Sequence, residues 1–485
     1  MTRSSRAAAS CVAALAGIVL LVVASASLTL ASLGVFAAPP GAWTTELEFA
    51  GFNARVNVAG LVRLATLPGA AHLLDGRSVP TRSGTLQFAR DGHALRVTCA
   101  PCRLRHRNLA SVPVQLRSVA LEVRRDGDSL DGAVTVDAIR IPVDARLRAS
   151  SIDLAWQLPP TELGTLYRAL GDAVPEAAFA RIEGTVHAQG TMSLPSGRGS
   201  ARWSAEGFEV GGLGTEALQH GWFRFACSQP SGTAKLAITG DGEPAWIAAD
   251  AMGPYLAAAV LAAEDQRFRQ HAGYDEHSVA AVLADLEDGR PKRGGSTITQ
   301  QLARTLFTGG ERTAVRKLRE LLYSIEMERT LGKARILELY LNTVDWGPGL
   351  CGARSAARAY FGKPPARLTA LEAAWLAGVL RNPHAAWDQQ FVARQPDRDR
   401  AIQVLMQMRD WPKRERERFA AQPLAFARAP VPKKGGGAGT APAQRADSLG
   451  IVRFDRASHT SIGTEPSSEN GRITSPEPRR SGPGR

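Results

Sequence analysis

Cysteine is scarce in this chain, with five in 485 residues. Cys11 falls in an apolar run, Cys227 and Cys351 have no evident partners, and only Cys99 and Cys102 stand close, in TCAPCRL. Neither a second CxxC nor a His pair completes the ligand set of a structural zinc. A disulfide-tied turn in an oxidising compartment is therefore expected ahead of a redox pair. Charge is missing as well: none occurs between Arg6 and Glu46, and Ala7 to Ala38 is dominated by Ala, Val, Leu and Ile. About 20 apolar residues cross a bilayer, whereas the apolar part of a signal peptide runs to about 7–15, so an uncleaved anchor is expected rather than a cleaved leader. Arg3 and Arg6 would keep the N-terminus cytoplasmic, with the bulk of the protein outside. The GxxxxGK[ST] spacing is also absent, so the pair Gly294 and Gly295 is not part of a P-loop.

What is present is a net charge of +13, which favours anionic partners. Much of the excess is arginine scattered through the chain, a weaker signal than one basic stripe; charge alone does not choose among phospholipid, nucleic acid and polyphosphate, and it is the motifs below that leave no nucleic-acid partner expected. The fold class expected is a multidomain mixture of α and β. Residues 1–40 are expected to form a cytoplasmic stub and transmembrane helix. Residues 41–243 form a β-rich extracytoplasmic module of unknown role: LEFAGFNARVNVAGLVRL, GTLQFARDGHALRVTC and RIEGTVHAQGTMSL alternate apolar and polar residues between turn clusters. Pro159 to Ala180 is expected to add one or two short helices.

From Pro244 the period changes to that of a helix, and residues 244–390 are expected to be mostly α. RKLRELLYSIEMERTL places Leu318, Leu321, Leu322 and Ile325 on one face, and KARILELYLN repeats the device with Ile336, Leu337, Tyr340 and Leu341. Gly362 and Pro364 stop one helix, and Thr369 with Glu372 has capping-box spacing at the start of another. Residues 391–422 read as one polar helix. The tail, 423–485, is rich in Pro, Gly, Ser and Arg and is expected to be disordered.

Chemistry-bearing residues cluster between Glu264 and Glu320. Glu264 and Asp265 end an alanine-rich helix, where partial burial raises a carboxylate toward the range of a general base; taken alone, an acidic helix end is more often a solvated face. Phe268 and His271 follow. Ser296 and Thr297, with Gln300 three residues beyond Thr297 and Gln301 next, open a helix whose free N–H groups suit an anion, although the glycines before it also read as a hinge. Arg304, Arg312, Arg316, Lys317 and Arg319 supply cations suited to a diphosphate. Arg316 and Glu320, four apart, equally describe a surface salt bridge.

The order of EDQRFRQHAG, GGSTITQQLAR, RKLRE, KARILELYLN and GLCGARSAARAYFGK over residues 244–384 resembles the peptidoglycan glycosyltransferase family (family 51), the module also found at the front of bifunctional penicillin-binding proteins. NTVDWGPG and LRNP are most similar to its monofunctional members. The resemblance implies a lysozyme-like domain that polymerises lipid II into β-1,4-linked glycan with release of undecaprenyl diphosphate. It implies Glu264 as the base acting on the acceptor 4-hydroxyl and Glu320 as the second glutamate on the donor side. Arg304 and Arg312 would steady the pyrophosphate, with Arg316, Lys317 and Arg319 nearby. Ser296, Thr297, Gln300 and Gln301 would line the cleft, supported by Asp265, Phe268 and His271. A divalent cation, Mg2+ or Mn2+, is an expected helper at the leaving diphosphate. Arg304, Thr305, Arg319 and Cys351 depart from the family's usual lysine, asparagine, lysine and aromatic residue. No SxxK with a later KTG is present, so no transpeptidase activity is expected and a separate transpeptidase would be a partner. The setting implied is the plasma (inner) membrane of a bacterium, with the catalytic part on its outer face and lipid II and the growing glycan strand as substrates. A lytic hydrolase on a related framework and a silent cell-wall scaffold are the competing readings.

Overall fold

A computed structural model describes residues 44–427, apart from 50–51, 82, 106–108, 149–150, 195, 232, 277–294 and 312. The apolar run Ala7–Ala38, Gly294, Arg312, the basic stretch Arg290–Arg293 and the tail from residue 428 lie outside the described residues. Among the described residues no helix is long and apolar enough to cross a membrane.

The N-terminal part is sheet-rich. Nine antiparallel strands form one sheet in chain order: β1 (Ser78–Thr81), β2 (Gly84–Asp91), β3 (Ala94–Cys99), β4 (Val119–Asp126), β5 (Ser129–Val136), β6 (Ile139–Leu147), β7 (Ile152–Glu162), β8 (Arg181–Leu194) and β9 (Arg198–Gly211). Alternation sets the register: Leu95 stands opposite Val123, Leu130 opposite Ala145, and Ala145 opposite Leu154, so the apolar positions share one face. Between β7 and β8 the chain makes a short helix, α1 (Leu163–Ala169), and two one-turn helices, Gly171–Ala173 and Pro175–Ala178. This excursion matches the helical break expected between Pro159 and Ala180. A separate hairpin, β10 (Trp222–Ser228) and β11 (Ala234–Gly240), leads into the helical part.

That part comprises α2 (Leu256–Glu264), α3 (Ile298–Ala303), α4 (Ala314–Thr330), α5 (Gly332–Thr343), α6 (Ala353–Phe361), α7 (Ala370–Val379), α8 (Arg398–Gln407) and α9 (Lys413–Ala420). The punctuation read from the sequence operates here. Thr369 and Glu372 make a reciprocal capping box on α7. Gly362 ends α6 in the left-handed region at φ 70°. The single polar helix expected over 391–422 is instead two helices parted before Pro412, whose ring cannot continue the first. The first of them, α8, buries Ala401, Val404 and Leu405 and packs on α7 and α2, so the helical core continues past residue 390. One buried core runs without a break from Cys99 in the sheet-rich part to Met408 just after α8.

Two disulfides are formed. Cys99 joins Cys102, as the turn TCAPC suggested, and Cys227 on β10 joins Cys351 after α5. The second pairing, between residues 124 apart, had no sequence signal because proximity there is purely tertiary.

Candidate active site

Glu264 is the last residue of α2 and is half-buried. Its Oε2 accepts a hydrogen bond of 2.9 Å from Gln301 Nε2 on α3. The other end of that amide, Gln301 Oε1, accepts 2.8 Å from the hydroxyl of Tyr340 on α5. Tyr340 is fully buried, which pushes its phenol well above the usual range and keeps it a donor. The three side chains therefore form a one-way chain, and Tyr340 fixes which end of the Gln301 amide faces the glutamate. Burial raises the Glu264 pKa, and the charge of Asp265 adds to the rise; the Gln301 bond and the cations Arg400 and Arg304 pull the other way without cancelling it.

The next carboxylate has a different role. Asp265 accepts from the Ile298 N–H at 2.9 Å and from His271 Nε2 at 3.0 Å to each oxygen. His271 Nδ1 accepts the Gly273 N–H, so its proton sits on Nε2, aimed at Asp265. Asp265 thus closes the N-terminus of α3 and is sealed off, its side chain about as buried as that of His271. Phe268 is buried edge-on against His271. These three residues hold α2 and α3 together instead of lining an opening. Thr297 caps α3 by accepting from the Gln300 N–H, and its own hydroxyl donates to Gly273 O at 2.7 Å. Gly273 itself sits at φ 97° with its Cα against Ser324 of α4, where a Cβ would lie 3.0 Å from backbone atoms. The capping-box residues of the sequence are thereby fitted to a helix junction.

A cationic cluster lies on α4. Lys317 Nζ lies 2.8 Å from Glu320 Oε2 and also donates to Ser296 Oγ, while Arg316 pairs with the other Glu320 oxygen. Glu320 is fully buried, so its charge serves to place these two cations. Burial, with help from Arg316 and Arg304, pulls the Lys317 pKa down to about 8 against the attraction of Glu320. Arg304 is exposed at the start of a π-helical turn, Arg304–Thr308, and acts electrostatically on both Glu264 and Lys317. It is the cation common to the two halves.

One residue departs from the grouping read in the sequence. Arg319 turns away to make a fork-shaped pair with the buried Glu176, with contacts of 2.7 to 2.9 Å. Arg312 lies outside the described residues. Conversely Arg400 and Tyr340 belong to the electrostatic surroundings of Glu264 and were missed: Tyr340 read as a core position, and Arg400 lay beyond the expected domain edge. No group of three or more metal-ligating side chains occurs among the described residues. The Asp265 oxygens are taken up by hydrogen bonds from His271 and the Ile298 N–H, and the charge of Glu320 is matched by the α4 cations, so these residues do not fit a protein-held divalent ion.

Comparison with known proteins bears on the same segment of the chain. A family model described as transglycosylase matches residues 233–409. A biosynthetic peptidoglycan transglycosylase of Rhodospirillum centenum is 45% identical over 159 residues, 32% of this chain and 69% of that protein. The chain belongs to the transglycosylase family. Biosynthetic peptidoglycan transglycosylases of Aeromonas hydrophila and Nitrosomonas eutropha are 46% and 44% identical over 138 and 139 residues, 28% of this chain in each case. The chain spans 59% and 57% of the length of those two relatives. The family model leaves the nine-stranded sheet outside its bounds and reaches past α8, so Arg400 falls within the transglycosylase region.

Proposed function

We propose that this chain is a peptidoglycan glycosyltransferase that polymerises lipid II into β-1,4-linked glycan strands in the cell envelope. The observation that carries the reading is Glu264, raised in pKa by burial, oriented by Gln301, and sharing the cation Arg304 with the Lys317–Glu320–Arg316 cluster. A base with a raised pKa is better matched to a hydroxyl proton at neutral pH than an ordinary carboxylate.

In this mechanism Glu264 takes the proton of the acceptor sugar's 4-hydroxyl as that oxygen bonds to the anomeric carbon of the donor. The bond from that carbon to the lipid diphosphate breaks, and the diphosphate leaves with the electron pair. Arg304, Lys317 and Arg316 offset its charge, Lys317 in its protonated form. The leaving group is already stable as an anion, so no strong general acid is required, unlike glycoside hydrolysis. No step is routed through a metal; a Mg2+ or Mn2+ brought by the diphosphate would add to the same charge balance.

The apolar run Ala7–Ala38 is proposed as an anchor in the inner membrane, with the described residues on the extracytoplasmic face, where a lipid-linked substrate is presented. The two disulfides support that side of the membrane. A separate transpeptidase is the proposed partner for cross-linking. The test is incubation of purified chain with labelled lipid II in detergent. Polymer is expected from the wild type and not from Glu264→Gln, which keeps the Gln301 contact but cannot accept the proton. Wild-type chain that forms no polymer across detergents and divalent ions would overturn the reading, and polymer from Glu264→Gln at the wild-type rate would overturn the base assignment.

A further inference from the structure

Helix α4 has two working faces. On one, Arg316 and Lys317 pair with Glu320. Val315, Arg319, Glu326 and Thr330 follow at spacings of four, seven and four, the period of a single helical stripe, and this stripe is gripped by the sheet-rich part. The Val315 N–H donates to Leu109 O at 2.9 Å, and the Tyr167 hydroxyl donates to Leu318 O at 3.2 Å. Arg319 pairs with Glu176, Glu326 accepts from Leu213 N–H, Thr215 N–H and Thr215 Oγ1, and Thr330 meets Thr215 and Gln219. The middle contact is the one built from charge. Glu176, on the one-turn helix Pro175–Ala178, is 2% exposed, and the Arg319 side chain 19%. Its charge also reaches Tyr323, one turn along α4. Tyr323 stacks flat on Phe307, ring centroids 4.1 Å apart and planes within 2°. Phe307 belongs to the π-helical turn that begins with Arg304.

We propose that Glu176, which lies outside the transglycosylase match, is a positioning residue for glycan polymerisation. Through Arg319 it sets where α4 holds Lys317 and Glu320, and through Tyr323 and Phe307 it sets the turn that presents Arg304. The sheet-rich part is thereby a working component of the transferase as well as a spacer. A buried carboxylate fork-paired with a partly buried guanidinium suits this role because the geometry is fixed in distance and orientation. This inference rests on the function proposed above.

The experiment compares full-length wild type, Glu176→Gln, Glu176→Asp, Arg319→Gln and the double variant Glu176→Gln with Arg319→Gln, at a temperature where all remain folded. Glu176→Gln is expected to lower kcat on the order of tenfold or more with KM for lipid II within about twofold, because displaced cations are felt mainly as charge develops. Glu176→Asp is expected to recover part of that loss. The double variant is expected to be no slower than Arg319→Gln alone, since both changes cut one linkage. A Cys99→Ser and Cys102→Ser variant, destabilised elsewhere, is expected to keep the wild-type kcat and so separates positioning from mere stability. Unchanged kcat in Glu176→Gln, or losses that multiply in the double variant, would overturn the proposal. Hydrogen exchange supplies a readout that needs no turnover. Glu176→Gln is expected to speed exchange across residues 304–320 and leave α7 unchanged; identical exchange at 304–320 overturns the proposal. Inactive wild type would refute the assigned reaction, and exchange would still decide whether Glu176 holds α4.

Discussion

Breaking the Cys227–Cys351 bridge is the perturbation whose size follows most directly from the structure. It joins β10 to the turn after α5, the helix that carries Tyr340, across 124 residues of chain. In the chain-entropy description a closed loop of about 125 residues contributes about 5 kcal/mol, whereas the four-residue Cys99–Cys102 loop contributes about 2 kcal/mol. With about 2.1 cal/mol/K of unfolding entropy per residue over roughly 350 folded residues, those figures correspond to about 7 °C and about 2–3 °C in Tm. The comparison should be made by calorimetry on Cys227→Ser with Cys351→Ser against Cys99→Ser with Cys102→Ser. Each pair introduces two hydroxyls in place of sulfur at largely buried sites, so much of that cost cancels between them. A shift for the long-range pair no larger than for the local pair would refute the reasoning, because loop length would then not govern the stabilisation.

Other outcomes follow from the site. The rate of polymerisation should be bell-shaped in pH. It rises as Glu264 ionises above the usual carboxylate range, because burial raises that group, and falls as Lys317 loses its proton near pH 8. A Lys317→Arg variant should move the alkaline limb upward and leave the acid limb in place; initial rates over pH check both. Tyr340→Phe removes the donor that orients Gln301, and the rate should drop on the order of tenfold with little change in Tm, the loss of one net hydrogen bond being worth only about 1 kcal/mol. Glu326→Ala leaves the buried N–H groups of Leu213 and Thr215 without their acceptor. At about 1–3 kcal/mol for each group, Tm should fall by at least about 3 °C, and a smaller shift would show that the junction with the sheet-rich part is not held there.

Local rules made much of this protein legible in its sequence. Alternation of apolar and polar residues gave the strands, since a pleated strand sends successive side chains to opposite faces. Thr297, Thr369 and Gly362 marked helix ends because caps satisfy backbone groups within a few residues of themselves. Glu264, Ser296, Gln301, Arg304, Lys317 and Glu320 are all legible as candidates in the sequence, and hydrogen bonds, ion pairs and the shared charge of Arg304 link them around α2, α3 and α4. What the sequence could not assign was the division of labour among like residues. Glu264 and Asp265 are chemically near-identical neighbours, yet one is an oriented, half-buried carboxylate and the other a sealed helix cap, because Ile298 and His271 arrive only around Asp265. Arg316 and Arg319 stand on one helix, and three residues of rotation send one to Glu320 and the other to Glu176. The Cys227–Cys351 bridge, the reach of Arg400 toward Glu264 and the grip of the sheet-rich part on α4 have no local signature at all. They join residues far apart in the chain, so sequence determined which groups were available, and tertiary packing decided which of them meet.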